Sequence, residues 1–370
     1  EKIQGLIDNE IFVHGPLKTP AWEGHLLLTQ GLYRGQRIDQ AQVYYSYRQG
    51  ILELKNCTVN SGTAVLELAG TVGAGDELDF RFAARDLRFE ELGVLKGLPY
   101  GISGRAELAG TIQGVWQNPR VVSRINAYDT VINQQHFGNL TGQIEVVNKD
   151  LLVPELKLTD GTAVYAFTGK IDLHDAPQIE GRLSVTEGQL PQLLGLLAYP
   201  IPDAQGKVSA ALTLSGSLEK PDAQGRLTVT QGHVKGYPVD LIELDAVAQQ
   251  GLMTVNSFEL RQGQGFMRAR GTWAADDVLA LEVGGSNLDA GFVAALLPEP
   301  QPVKGTIDFT AQVAGTTQHP QAAVSIEIKT GSWANAEFDS LYALAVLEND
   351  IIKLNQIMLI KGPYKASAYG

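Results

Sequence analysis

A glycine followed five positions later by a proline occurs four times, at Gly15/Pro20, Gly114/Pro119, Gly216/Pro221 and Gly315/Pro320. The four glycines stand 99, 102 and 99 residues apart. Forty-two residues beyond each proline comes a further glycine, Gly62, Gly161, Gly263 or Gly362, and eight beyond that Gly70, Gly169, Gly271 or Gly370. Gly104, Gly206 and Gly305 precede the last three link glycines by ten residues. A spacing held through four copies without an insertion makes the chain a tandem array of one supersecondary unit rather than a set of independent cores. It divides the chain into the end of a preceding repeat (1–14), repeats over 15–113, 114–215 and 216–314, and a partial fourth over 315–370.

Between these anchors apolar and polar residues alternate with period two, which on a strand sends them to opposite faces. Leu108 and Ile112, then Val208, Leu212 and Leu214, then Ile307, Phe309 and Val313 occupy equivalent strands of successive repeats. The same alternation selects Leu66, Leu68 and Val72; Tyr165, Phe167 and Ile171; Leu183 and Val185; Leu227 and Val229; and Ile326 and Ile328. Turn-forming residues at Tyr47–Gly50, Asn148–Asp150, Gln249–Gly251 and Glu348–Asp350 separate the runs, giving about six strands per repeat in an antiparallel meander.

One segment per complete repeat breaks the alternation, over Phe89–Gly97, Gln189–Ala198 and Leu288–Leu297. Its leucines fall at helical spacing, and Pro99, Pro200 or Pro298 ends it, so a short amphipathic helix is expected in each. Such a helix could plug the sheet or gate it.

A one-sided sheet must hide its apolar face under a second sheet or helices, or by closing on itself. Unbroken spacing argues against one barrel per repeat, and the helices are too few to cover six strands. The expected fold is all-β: an elongated antiparallel sheet repeat folded lengthwise into an open apolar trough. At about 4.8 Å per strand, some 20 strands would extend on the order of 100 Å. A packed sandwich core is the plainer alternative.

With 44% apolar and 19% charged residues the chain can bury a substantial surface. Its net charge of −12, without a basic run, argues against nucleic acid. Cys57, the single cysteine, cannot form an internal disulfide and reads as a small buried hydrophobe. No stretch has the ~20 apolar residues of a membrane-spanning helix. No nucleophile elbow, phosphate loop or metalloprotease motif is present. The partial Gly-x-Gly at Gly263 and Gly265 lies between strands and is a turn. Asp172, His174 and Asp175 have ligand-type side chains at close spacing, yet follow a strand and read as a solvated turn. No catalytic residue, metal or cofactor is expected.

The run "GKVSAALTLSGSLEKPDAQG", with its Gly, four residues, Pro link, resembles the middle region of TamB proteins, of the AsmA-like superfamily. The resemblance implies a periplasmic β-trough protein of a diderm bacterium. It would be anchored in the inner membrane and carry phospholipid acyl chains along the apolar face, with an outer-membrane β-barrel partner engaged elsewhere. It also implies that the membrane anchor and the carboxy-terminal domain lie outside this chain. Two further readings compete: a scaffold that pairs client strands at the sheet edges during outer-membrane protein assembly, and a structural solenoid with a dry core.

Overall fold

A computed structural model describes residues 4–33, 35–91, 101–174, 176–196, 201, 203–274, 277–297, 301–334, 336–348 and 351–370. The chain is all-β. Among the described residues, 23 strands make one antiparallel sheet that does not close into a barrel. By contacts it divides into two compact units, residues 1–181 with 217–219 and residues 182–216 with 220–370.

Within the first unit eleven strands follow one another, each pairing antiparallel with the next: β1 (Gln4–His14), β2 (Ala21–Tyr33), β3 (Gln36–Arg48), β4 (Ile51–Ser61), β5 (Ala64–Val72), β6 (Glu77–Arg88), β7 (Ile102–Val115), β8 (Asn118–Ile132), β9 (Gln135–Val147), β10 (Asp150–Asp160) and β11 (Ala163–Asp172). Next in the chain comes β12 (Gln178–Gln189).

The second unit continues the meander through β13 (Gln205–Ser217), β14 (Asp222–Val234), β15 (Tyr237–Gln249), β16 (Leu252–Gln262), β17 (Gly265–Ala274), β18 (Val278–Asp289), β19 (Val303–Thr316), β20 (Pro320–Trp333), β21 (Ala336–Glu348), β22 (Ile351–Lys361) and β23 (Tyr364–Ala368). From β13 onward each again pairs with its successor.

The repeat glycines hold the geometry in two ways. Gly62, Gly161, Gly263 and Gly362 sit in hairpin turns at φ +58°, +59°, +57° and +55°, a left-handed conformation that glycine adopts without a Cβ penalty. Gly70, Gly169 and Gly271 serve close approach instead. A Cβ on Gly70 would stand 2.1 Å from the Asp79 carbonyl oxygen, and on Gly271 2.0 Å from that of Ala280. The series beginning at Gly104 also has an earlier member: Gly5 takes φ +142°, beside +135°, +151° and +125° at Gly104, Gly206 and Gly305.

A β-bulge recurs with the same period. The register slips by one residue between Leu54 and Cys57, between Val153 and Leu156, between Val255 and Phe258, and between Leu354 and Gln356. The inserted pairs Lys55–Asn56, Pro154–Glu155 and Asn256–Ser257 are all exposed, whereas the flanking Leu54, Cys57, Val255 and Phe258 are not. Such an extra residue bends its strand.

The helical segments are shorter than the sequence suggests. Phe89–Glu91 forms a single 3-10 turn, and the rest of that expected helix lies outside the described residues. Gln189 still belongs to β12, and α1 spans Leu190–Leu196; residues 197–200 are not among those described. Leu288 pairs with Ile307 as part of β18, so α2 spans only Ala290–Ala295. It starts there because the Asp289 carboxylate accepts the Phe292 N–H over 3.0 Å, an N-cap.

Candidate functional site

The strand register sorts the apolar side chains of the second unit into rows that cross the strands. A middle row runs Ala210, Leu227, Leu244, Phe258, Ala269, Val283, Ala311, Val324, Ala345, Leu354, one residue from each of ten strands. A neighbouring row runs from Leu212 through Gly225, Ala246, Val255, Gly271, Leu281, Val313, Ala322 and Leu347 to Ile352. No polar side chain interrupts either. Ten strands at about 4.8 Å give each row a length of about 43 Å.

Burial divides this face. On the side of α2 the rows are packed: Val208, Val229, Leu260, Leu288, Ile307, Ile328 and Leu341 are buried, together with Phe292 of the helix. Not one residue of the two rows above reaches that state. From Ala210 to Ala345 and from Leu212 to Leu347 they are half-buried, and Leu354 and Ile352 are exposed. A packed sandwich would bury them. The face is therefore filled along one margin and open over the rest. A cavity of about 860 Å³ lies on the other, charged face, where the strand neighbours of this row, Glu243, Glu259, Arg268, Arg270, Glu282 and Gln312, line it over the backbone of the middle row.

The first unit repeats the arrangement with more of its face filled. One row passes from Ile7 through Leu28, Ala41, Val59, Leu66, Ala84, Leu108, Ile125, Gly142 and Leu156 to Phe167 without a polar residue. The adjacent row contains Ser123, buried, whose hydroxyl donates to the Arg124 carbonyl over 3.0 Å. Leu78, Phe80 and Val153, farther from the helix side, are buried here too.

Apart from Leu183 and Val185 on β12, each residue expected to line a groove can be placed on these rows. In the first unit Leu66, Leu108 and Phe167 share the row just described. Leu68 lies on the Ser123 row, Ile112 and Ile171 on the next, Val72 beyond, and Tyr165 on the helix side. In the second unit Leu227 belongs to the middle row and Leu212 and Val313 to its neighbour, with Leu214 one step farther out. Val208, Val229, Ile307, Phe309, Ile326 and Ile328 belong to the packed helix side. On β12, Leu183 is half-buried and Val185 buried, between exposed Arg182, Ser184 and Thr186. Phe258, Val283, Ala311 and Val324 complete the open row; alternation marks them equally well.

The opposite face carries the charge. Glu259 accepts from Arg261 at 2.6 Å and Arg268 at 2.9 Å, which holds its carboxyl below the usual range. Arg120 grips Glu145 through two nitrogens at 2.6 and 3.0 Å, with the same effect on Glu145. Asp308 accepts from the Lys329 ammonium at 2.8 Å, the Ser286 hydroxyl at 2.7 Å and the Asn287 N–H at 2.8 Å. Those bonds, Lys329 foremost, pull its carboxyl down to about 2. All these pairs bridge neighbouring strands or follow one strand, as ties of the sheet.

Candidate ligand clusters resolve into turns. Asp150, Asp172 and His174 bring side-chain atoms within 4.8 Å of one another. Asp150 is already paired with Lys170 at 2.9 Å, and Asp172 accepts the His174 N–H at 2.9 Å. Asp175 lies outside the described residues. Gly263 is the tip of the β16–β17 hairpin. Cys57 is buried, and desolvation raises its thiol pKa. Among the described residues no helix is long and apolar enough to cross a membrane.

Residues 156–262 match the family model for the TamB C-terminal domain. The expectation that this domain lies outside the chain is corrected by that match. No curated protein and no solved structure matches. Over residues 156–262, from within β10 to the end of β16, the chain is similar to the TamB C-terminal domain.

Proposed function

We propose that the chain is a non-catalytic carrier of phospholipid, holding acyl chains against the open rows while head groups stay in water. TamB-family roles lie in outer-membrane protein assembly or lipid transport. The observation that favours lipid is the pair of half-exposed rows from Ala210 to Leu354 and Leu212 to Ile352, which offer hydrocarbon and nothing else. A guest there must need no hydrogen bonds, because β14 to β22 spend their backbone groups on both neighbouring strands. An acyl chain meets that condition; a client strand does not. Burial at about 0.8 kcal/mol per methylene would hold a chain firmly, and a row of interchangeable side chains lets it slide.

The setting that follows from the family resemblance is the periplasm, with an inner-membrane anchor in the full-length protein and an outer-membrane barrel as partner. The test is lipid extraction and native mass spectrometry of the purified protein, followed by photo-crosslinking from Leu212 and from Thr213, its exposed neighbour. Phospholipid crosslinked from Leu212 alone is expected. Lipid-free protein, silent at both positions, would overturn the reading. Capture of extended peptides instead would move the function to strand handling at the sheet edges.

A further inference from the structure

Among the described residues Phe292 is the most completely buried aromatic of the second unit, at 0% exposure, and it belongs to a helix of six residues. So short an element has no stability of its own. Three ties hold it. The Asp289 carboxylate caps it at Phe292 N–H, and the Asp289 N–H donates to Gln262 Oε1 at 3.2 Å. Gln262 in turn donates to the Pro238 carbonyl at 3.2 Å. The Tyr237 ring lies against Phe292 with centroids 5.7 Å apart. Below it Val239, Leu260, Leu288, Ile307, Ile328 and Leu341 form one buried cluster with Phe292.

The same sheet face is thus closed under α2 and open two rows away, although both regions are lined by hydrocarbon. Over Leu260, Leu288, Ile307 and Ile328, which share one buried cluster with Phe292, the helix packed on β18 and β19 accounts for this difference. We infer that α2, through Phe292, is a fixed stop that excludes acyl chains from the helix margin and confines them to the rows containing Val283 and Leu281. The inference rests on the carrier reading and assigns Phe292 as the residue that positions the cargo. The half-buried α1, with no fully buried residue, lacks such an anchor.

The test uses vesicles of phosphatidylethanolamine and phosphatidylglycerol doped with a phosphatidylcholine whose acyl chain bears a diazirine. Labelled residues are mapped by mass spectrometry in the native protein and in Phe292→Ala and Phe292→Leu. Native protein should label Val283 and Ala311 but not Leu260, Ile307 or Ile328. Phe292→Ala should raise Leu260 and Ile307 from background to the level of Val283, while Phe292→Leu, which keeps the margin filled, should stay native-like. Circular dichroism and strand protection in hydrogen exchange must match the native protein, so that new labelling reports an opened margin. Labelling of Leu260 in native protein, or its persistent silence in folded Phe292→Ala, would overturn the stop. Silence at Val283 in native protein would overturn the carrier reading itself, and the stop with it.

Discussion

The backbone N–H of Gly263 donates to the Asp240 carboxylate across 2.6 Å, tying the β16–β17 turn to β15. Gly62 and Asp39, and Gly362 and Asp339, repeat the bond at 2.7 Å. The second repeat places Gly138 where the others have aspartate, at φ +72°, and a Cβ there would lie 2.4 Å from the Thr159 carbonyl oxygen. Losing a hydrogen bond to a charged acceptor costs about 1.5 kcal/mol at such a site. Asp240→Ala should therefore loosen the turn, seen as faster amide exchange over Gln262–Gly265 and a lower urea midpoint. Gly138→Asp should destabilise rather than complete the set.

Two glycines of one repeat should respond very differently to alanine. Gly263 has open space around its Cβ position and only its positive φ to lose, about 1 kcal/mol. At Gly271 the new methyl would meet the Ala280 carbonyl oxygen at 2.0 Å and the Leu281 Cα at 2.9 Å, both backbone. The strands would have to separate beside the bulge, so Gly271→Ala should cost several kcal/mol. Urea unfolding of the two variants side by side measures the difference; equal losses would remove Gly271 from the bend.

Those glycines also mark what was legible in the sequence. Their spacing announced the repeat, and alternation placed Leu212, Leu227 and Phe167 on the apolar face, because both properties are local. The doubled polar pairs Lys55–Asn56 and Asn256–Ser257 between apolar neighbours are the sequence signal of the bulge, which a strict period of two does not register. What local pattern cannot report is which row is filled. That depends on Phe292 reaching Leu260, 32 positions earlier, and on register across ten strands. The ties between Asp308 and Lys329 are hidden for the same reason.

The Asp308 carboxyl sits at about 2, below its ordinary 3.8, with Lys329 as the first cause and the Ser286 hydroxyl and Asn287 N–H behind it. A carboxylate with a depressed folded-state pKa contributes stability that is complete above its unfolded value and lost as pH falls through the folded one. The contribution should thus fade between about pH 4 and pH 2. Urea midpoints of native protein and Asp308→Asn should differ at pH 6 and converge near pH 2. A difference that persists unchanged at pH 2 would detach it from this carboxylate.

Ala311 and Ala323 offer the sharpest comparison of the two faces. Ala311 stands in the middle row opposite Val324, half-buried; Ala323 stands one position along β20 from Val324, exposed and turned the other way. Glutamate at either position adds the same charge and nearly the same strand propensity. Only at Ala311 must a carboxylate share space with hydrocarbon, at a cost of about 3 kcal/mol by the scale of charges placed in a membrane interior. That corresponds to roughly a hundredfold weaker retention. Ala311→Glu should therefore strip co-purifying phospholipid from a folded protein, and Ala323→Glu should leave it bound. Equal lipid content in both variants, measured by extraction after matched circular dichroism, would separate lipid holding from the middle row and return the open face to a structural role.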